Sequence, residues 1–488
     1  MSKRVGLILA ALLVVAFAIP SFAADVKIKG DFNNRFMVYT DHNDWLDSET
    51  GVLKDGTSSE TWGEAKYRMW FDASTNDGKV KGVYALEIGA LEYGKPSGSP
   101  AGKSAGGGYS GDAINIETRW LYTDFQLPWA CEKARIRMGL QPFTVNSYFW
   151  AETIMGVTSD FAFGPVNLNL AWLRPVRDET KDPDDDMEDL DAFYARVNFS
   201  PVDTVKVGIF GVYMTGDGDD DPTAPGYKGV SSQYYQVKHL GNRTELDLFN
   251  LGVDGKADIG PVFVKWDLIY QTGSVDSTNF VEDYSGYKYN KASKADEDFD
   301  VNAWFAHVDV GMNFGAVKLT YTGWYASGDD DASDSDLDGF MSVDIDRADS
   351  ICILEGGYVD DDYFGENVGI LDKGMIFNKL ALDFKASKKL KVGASIIYMM
   401  TAEDIEYTNP ETGKDYSEDQ IGFEFDTYLK YKIYDNLEFA INAGYLFSGD
   451  AMDFFERDSR DSATTYDSMD GSADEDIFIS TCRFRYKF

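Results

Sequence analysis

The sequence predicts an all-β fold, a closed antiparallel transmembrane β-barrel, and three observations carry that reading. Apolar and polar residues alternate with period two over many segments of roughly ten residues, the length a tilted membrane strand needs. Tight turns and long acidic connections follow each other in alternation along the chain. The chain also ends in an amphipathic strand closed by an aromatic residue, Phe488.

The first residues read as an export signal. Lys3 and Arg4 precede an apolar run from Val5 to Ile19, followed by Pro20 and the small-residue site Ser21-Phe22-Ala23. That run is about 15 residues, short of the roughly 20 that span a bilayer, so cleavage after Ala23 is expected. The chain then divides into residues 1–23, a cleaved signal peptide, and 24–488, a single barrel domain. No later apolar run reaches about 18 residues, which leaves strands as the spanning elements.

At the mature N-terminus Val26, Ile28, Phe32, Phe36 and Val38 alternate with Lys27, Lys29, Asp31, Asn33 and Arg35. In the last strand Phe478, Ser480, Cys482, Phe484, Tyr486 and Phe488 share one face, and Thr481, Arg483, Arg485 and Lys487 the other. One face suits lipid and the other water. First and last strands are expected to pair, because an open edge in lipid leaves backbone groups unsatisfied at several kcal/mol each.

Between these ends, tight turns are expected at Asn76-Asp77-Gly78, Gly164-Pro165, Ser200-Pro201, Gly260-Pro261, Gly315-Ala316, Lys388-Lys389 and Asp435-Asn436, with a looser one from Leu127 to Lys133. Long connections are expected near 40–60, 94–113, 142–152, 176–190, 217–243, 275–298, 329–373, 404–418 and 450–475. Eight turns and nine loops imply 18 strands, with 16 as the alternative if the stretch from Pro142 to Trp172 is one folded loop plus a strand. Both counts are even, which puts both termini and the short turns in the periplasm and the long acidic loops outside.

Acidic residues number 83 against 45 basic ones, giving a formal charge of -38 concentrated between the strands. Nucleic acid, which seeks basic surface, is not an expected partner; outer-membrane lipid is. Cys131, Cys352 and Cys482 are too few and too scattered for a disulfide framework. The histidines are His42, His239 and His307, none beside a nucleophile motif, and Gly106-Gly107-Gly108 precedes no helix. No enzyme and no cofactor are expected.

At Asn115-Ile116-Glu117-Thr118-Arg119-Trp120, at Arg135 to Phe143 and at the terminal Arg483-Phe484-Arg485-Tyr486-Lys487-Phe488, the chain resembles the outer-membrane homotrimeric porins of sulfate-reducing and related bacteria. The resemblance implies a homotrimer and passive diffusion of ions and small hydrophilic solutes through a water-filled pore. A barrel plugged by its own loops and serving as a structural or surface-binding protein is the alternative, raised by the length of the segment from Asp329 to Lys373.

Strand parity supplies a candidate pore lining. Lys27, Lys29, Arg35, Lys66, Arg68, Arg119, Arg135, Arg137, Arg483, Arg485 and Lys487 fall on inward positions of neighbouring strands and form a basic sector. Asp31, Glu64, Asp72, Glu87 and Glu117 share that parity. The stretch from Pro142 to Asp160 is expected to fold inward and narrow the pore, with Glu117, Glu152 and Asp160 as constriction acids opposite the basic wall. Asp334, Asp336 and Asp338, followed by Gly339, have calcium-loop spacing, but the twelfth position is Ile345 where a bidentate Glu is needed. Similar acid runs at Asp182 to Asp189, Asp217 to Asp221 and Asp360 to Asp362 favour solvated loop acid, able to hold calcium only loosely, over a dedicated site.

Overall fold

The structure, a computed structural model, describes residues 25–40, 60–95, 107–108, 114, 116–128, 133–176, 190–216, 244–277, 297–330, 335–343, 345, 347, 349–353, 368–370, 372–408, 413–455 and 476–488. Outside them lie the signal segment 1–23, His42, His239, Cys131, Asp334 and the acid runs at 182–189, 217–221 and 360–362.

The strands are β1 (Asp25–Thr40), β2 (Glu60–Ser74), β3 (Val80–Glu92), β4 (Ile116–Gln126), β5 (Arg135–Asn146), β6 (Trp150–Phe163), β7 (Val166–Val176), β8 (Leu190–Val202) and β9 (Val205–Gly216). They continue with β10 (Thr244–Ile259), β11 (Val262–Ser277), β12 (Glu297–Phe314), β13 (Val317–Ala326), the two-residue β14 (Asp336–Leu337), β15 (Met375–Phe384), β16 (Leu390–Thr408), β17 (Asp415–Tyr434), β18 (Leu437–Ser448) and β19 (Ile477–Lys487). Each long strand pairs antiparallel with its sequence neighbours, and β1 pairs with β19 from Asp31↔Lys487 to Thr40↔Phe478. The result is a closed barrel of 18 strands. β14 stands apart, pairing parallel with β12 at Asp300↔Asp336 and Val301↔Leu337, above the point where β13 stops.

Closure is completed by the terminal residue. Gly30 N–H donates to the Phe488 carbonyl at 3.0 Å, and Phe488 N–H to the Gly30 carbonyl at 3.1 Å. The Phe488 ring meets Phe32 at 5.6 Å and Tyr486 at 5.4 Å between centroids. The seam therefore carries both ladder bonds and aromatic packing.

The alternation of the sequence sets the two faces. Ile28, Leu121, Met155 and Leu251 point outward with more than half their surface exposed, as a lipid-facing band requires. Polar groups on that face are paired there: Tyr67 and Tyr93 hydroxyls donate to Asn34 Oδ1 at 3.1 and 2.9 Å, and Tyr321 donates to Asn378 Oδ1 at 2.8 Å. At Gly315 the chain reverses with φ 66°, a left-handed conformation that costs a glycine nothing.

Three expected connections differ. The one placed at 404–418 is shorter, because β16 and β17 extend into it and pair from Ile405↔Glu418 to Thr408↔Asp415. The turn placed at Ser200-Pro201 falls at 203–204, because β8 runs on through a register irregularity between Phe199 and Val202 that leaves Pro201, which has no N–H, outside regular pairing. The long connection expected at 142–152 is only a three-residue turn, 147–149, between two extended strands. The stretch from Pro142 to Trp172 is thus mostly strand, which decides for 18 over 16.

The lumen is divided along its axis. At the end bearing the long connections, inward side chains such as Met37, Leu248, Phe305, Met399 and Ile479 are fully buried. They pack against Phe340, Met341, Val343, Ile353 and Ile370 from the segment after β13, and against Met452 from a short 3-10 helix, Asp450–Phe455. At the end bearing the tight turns, inward positions carry charges and amides.

Candidate functional site

Around the inner wall from β18 through β19 and β1 to β5, basic and acidic side chains interleave. Arg485 donates to Asp31 Oδ1 at 2.7 Å, and Lys487 lies 3.5 Å from Asp31 Oδ2. Lys29 and Lys81 meet Asp72 at 3.2 and 3.6 Å. Glu87 gathers three cations, Lys66 at 3.2 Å, Arg119 at 2.6 Å and Arg68. Arg135 and Arg137 share Asp124 at 2.5 and 3.6 Å, Arg483 meets Glu438 at 3.2 Å, and the buried Arg35 pairs with Glu64.

Eleven cations against seven carboxylates, the six paired ones and Glu117 opposite Glu87, leave this sector positive inside a chain of charge -38. Arg35 and Arg483 lie deeper than their partners Glu64 and Glu438, but around Asp31, Asp72, Glu87 and Asp124 the carboxylates are the more buried: Asp124 and Glu87 side chains are 12% and 10% exposed, whereas Arg137 and Arg119 keep 31% and 29%. Guanidinium groups therefore line the water while the acids behind them fix their positions.

Two segments cross the bore. The first is the β5–β6 hairpin, whose tip reaches the far wall: Asn146 Nδ2 donates to Asp267 Oδ1 of β11 at 2.6 Å, and the Tyr148 ring lies 4.6 Å from His307 and 4.7 Å from Phe305 on β12. The second is the chain after β13. Met341 exchanges two bonds with the Gln271 side chain, both at 2.8 Å, and Val343 N–H donates to the Phe149 carbonyl at 2.8 Å. Arg347 stacks 3.9 Å over Tyr148 and pairs with Asp349 at 2.6 Å. Farther on, Ile351 and Cys352 N–H groups both donate to Glu424 Oε1, at 2.7 and 3.0 Å.

Beside the hairpin, toward the turns, opens a cavity of about 840 Å³ lined by Asp160, Asn169, Arg196, Asn198, Asp254 and Arg347 among others. A polar chain runs across four strands there. Asn169 donates to Asp160, Asn198 to Asn169 Oδ1 at 3.0 Å, Arg196 Nε to Asn198 Oδ1 at 2.7 Å, and Arg196 Nη1 to Asp254 Oδ2 at 2.7 Å. With its hydrogen bonds satisfied internally, this wall presents fixed dipoles and charges to a solute.

A family model described as alginate export matches residues 133–465, more than half of the chain. The chain belongs to the alginate export family. Among solved structures, this member of the family is similar to Pseudomonas aeruginosa OccK8 (OprE), at 12% identity over 95% of this chain and 98% of that one, with a TM-score of 0.53. Similar too are OccK3 (OpdO) of the same organism, at 9% identity, 95% and 96% coverage and a TM-score of 0.50, and its outer membrane protein opdK, at 10%, 95% and 98%, and 0.50. These likenesses establish the fold, an 18-strand outer-membrane barrel. No curated protein matches the sequence.

The alginate export match starts after β4, so it takes in both crossing segments but leaves β1 to β4 and β19, where most of the charged wall lies, outside it. Ten of the eleven cations read from the sequence stand in that wall; Lys27 is at the rim, 3.6 Å from Asp25 and largely exposed. Glu117 lies opposite Glu87 in register. Glu152 is exposed on β6 with its carboxylate against the Thr153 N–H, and Asp160 lines the cavity near the turns, so neither shares a constriction with Glu117. Of the stretch from Pro142 to Asp160, the part before Gly156 enters the bore, as a hairpin and not as a loop, and from Gly156 on it runs in the wall beside β7. Asp336 belongs to β14 and the Asp338 carbonyl accepts from the Ser327 hydroxyl at 2.5 Å; among the described residues no group of three or more His, Cys, Asp or Glu could hold a metal.

Arg196, Asp254, Tyr148, Arg347 and Glu424 were not picked out from the sequence. Arg196 and Asp254 sit at inward parity on β8 and β10, so the dyad period could have found them. Arg347 reaches Tyr148, and Glu424 reaches Ile351 and Cys352, across long sequence separations that no local pattern marks.

Proposed function

We propose that the chain is an outer-membrane channel through which small hydrophilic solutes and ions diffuse passively, with a preference for anions. The observation that carries this is the continuous, net-positive wall of guanidinium and ammonium groups inside a closed barrel. A permeating carboxylate can exchange one such group for the next along the wall, each contact favourable enough to enter and weak enough to leave. The family description adds support, since alginate is a chain of uronate units and every unit bears a carboxylate. Transport of this kind needs no catalysis and no cofactor.

In this reading residues 1–23 direct export, the tight turns and both termini face the periplasm, and the acidic loops face outward, where they hold cations such as calcium loosely. One chain closes its own barrel, so the pore belongs to a single copy. The homotrimer implied by the porin resemblance would then carry three parallel pores, and conductance steps in threes would reveal it.

The test is reconstitution of the mature protein in a planar bilayer, with reversal potential measured in a salt gradient. Anion-selective openings are expected. Cation selectivity would overturn the preference, and a folded barrel that never conducts would overturn the channel.

A further inference from the structure

The outer half of the β5–β6 hairpin has no backbone pairing with the neighbouring strands and meets the wall through side chains alone, Trp120 Nε1 donating to Thr153 Oγ1 at 3.2 Å and Arg196 Nη1 to the Val145 carbonyl at 3.3 Å. β4 pairs with β5 only as far as Leu121↔Leu140, and β7 pairs with β6 only from Gly156↔Leu173 onward. Residues 141–154 therefore form backbone pairs with each other alone. The barrel wall lets go of the hairpin at two glycines directly opposed in register, Gly139↔Gly156. Gly139 has φ 123°, and a Cβ there would stand 2.4 Å from the Leu121 carbonyl oxygen. Gln141 staples this bend, donating to the Gly156 carbonyl at 2.9 Å and accepting from the Thr158 hydroxyl at 2.9 Å.

At the far wall the hairpin tip rests on His307, whose side chain is 3% exposed. Nδ1 lies 2.5 Å from Asp267 Oδ2 and Nε2 lies 3.1 Å from Asp309 Oδ1. A neutral imidazole has one N–H and would turn a lone pair toward one of these carboxylates; only the imidazolium donates to both. Asp267 also accepts from Asn146 of the tip, so the histidine holds the group that fixes this side chain, while Arg196 on the Val145 carbonyl at 3.3 Å, Arg347 on the Ser147 hydroxyl at 3.2 Å and Val343 on the Phe149 carbonyl hold the tip elsewhere.

The other groups facing this node are accounted for. Asp309 takes Lys265 at 3.1 Å and the Thr322 hydroxyl at 2.6 Å, so it stays partnered if His307 loses a proton. Tyr148 covers the ring from the tip, and Arg347, paired with Asp349, covers Tyr148 from the segment after β13.

We propose that the β5–β6 hairpin is a flap hinged at Gly139 and Gly156 and latched across the bore by protonated His307, and that loss of this proton frees the tip and widens the conducting lumen. The proposal rests on the channel reading for its consequence, while the latch itself is a property of the hairpin. It is read in two ways: single-channel conductance between about pH 5 and pH 10, the range bracketing imidazole titration, and the mobility of a spin label at Thr144 over the same range.

The native protein is expected to show low conductance and a stiff label at the acidic end, with conductance rising about two-fold and the label loosening as pH increases. His307→Gln, which keeps one donor but cannot titrate, is expected to lose the step in both signals. Asn146→Ala leaves the histidine in place and is expected to raise conductance at neutral pH. A step that persists unchanged in His307→Gln, or a label whose mobility ignores pH, overturns the latch. Absence of conductance at every pH overturns the channel reading, and the label then reports on the latch alone.

Discussion

Neutralising Arg119 and Arg137 together, as Arg119→Gln with Arg137→Gln, isolates the charge of the lumen wall from its packing. Each carboxylate keeps a partner: Glu87 retains Lys66 and Arg68, and Asp124 retains Arg135. No buried acid is orphaned, so folding is expected to survive. An ion passing about 6 Å from each guanidinium in water feels about 0.7 kcal/mol per charge, and screening in 0.1 M salt roughly halves this. Two lost charges then cost an anion about 0.7 kcal/mol and favour a cation by as much. The anion-to-cation permeability ratio is expected to fall about ten-fold, since about 1.4 kcal/mol is a factor of ten. Reversal potential across a bilayer in a salt gradient reads this directly, with heat-modifiable migration on a gel confirming the folded barrel. An unchanged reversal potential in a folded double variant would refute the idea that these side chains face the permeating ion.

Three further outcomes follow from the same contacts. Phe340, 1% exposed and 5.3 Å from Phe305 between ring centroids, anchors the segment after β13; Phe340→Ala is expected to cost about 3–5 kcal/mol locally and to open that segment to protease while the barrel band stays folded. Phe488→Ala removes the rings' packing at the seam but not its backbone bonds, so a lower yield of folded, heat-modifiable protein is expected with unchanged conductance per channel. In the β2–β3 turn the Thr75 hydroxyl donates to Asp77 at 2.7 Å and the Lys79 N–H at 3.1 Å, and these bonds hold the Asp77 carboxyl down at about 2. A depressed acid stabilises the fold above its ordinary range and loses that contribution as pH falls through about 2, so this turn is expected to keep its amide-exchange protection at pH 4 and to lose it near pH 2, whereas in Asp77→Ala the acid-dependent loss disappears.

How much of this was legible in the sequence depends on the range of the interactions. The dyad alternation of Val26 to Val38 and of Phe478 to Phe488 reports directly on which face meets lipid, so the barrel, its seam and the cations of its wall could be read from parity. The acids beside those cations could be read as inward but not as partners, because pairing such as Glu87 with Arg119 depends on register, here shifted by an irregularity between Ala85 and Leu86. The hairpin misled for a physical reason. The stretch 142–152 reads as a connection, yet the strands continue because the tip's aromatic side chains are buried inside the barrel instead of in lipid. Nothing local announces that Gln271 will bond Met341, or that Glu424 will cap the Ile351 and Cys352 amides.

The axial division of the lumen bears on how the two crossing segments are held. A water-filled barrel has polar inward positions throughout, but here the end bearing the long connections is lined by apolar side chains that pack as a soluble protein's core does. The hydrophobic effect therefore acts inside the barrel, driving Phe340, Met341 and Ile353 onto Phe305 and Leu248, with no contribution from the membrane. Apolar burial is nondirectional and would let the hairpin tip settle in several places. The directional contacts sit where the apolar zone gives way to the charged one: Asn146 on Asp267, Arg347 on Tyr148 and Asp349, His307 between two carboxylates. Apolar packing keeps the crossing segments in the bore, and the polar boundary fixes where the tip stands. A change of charge at that boundary can accordingly move the tip without unfolding the core beneath it.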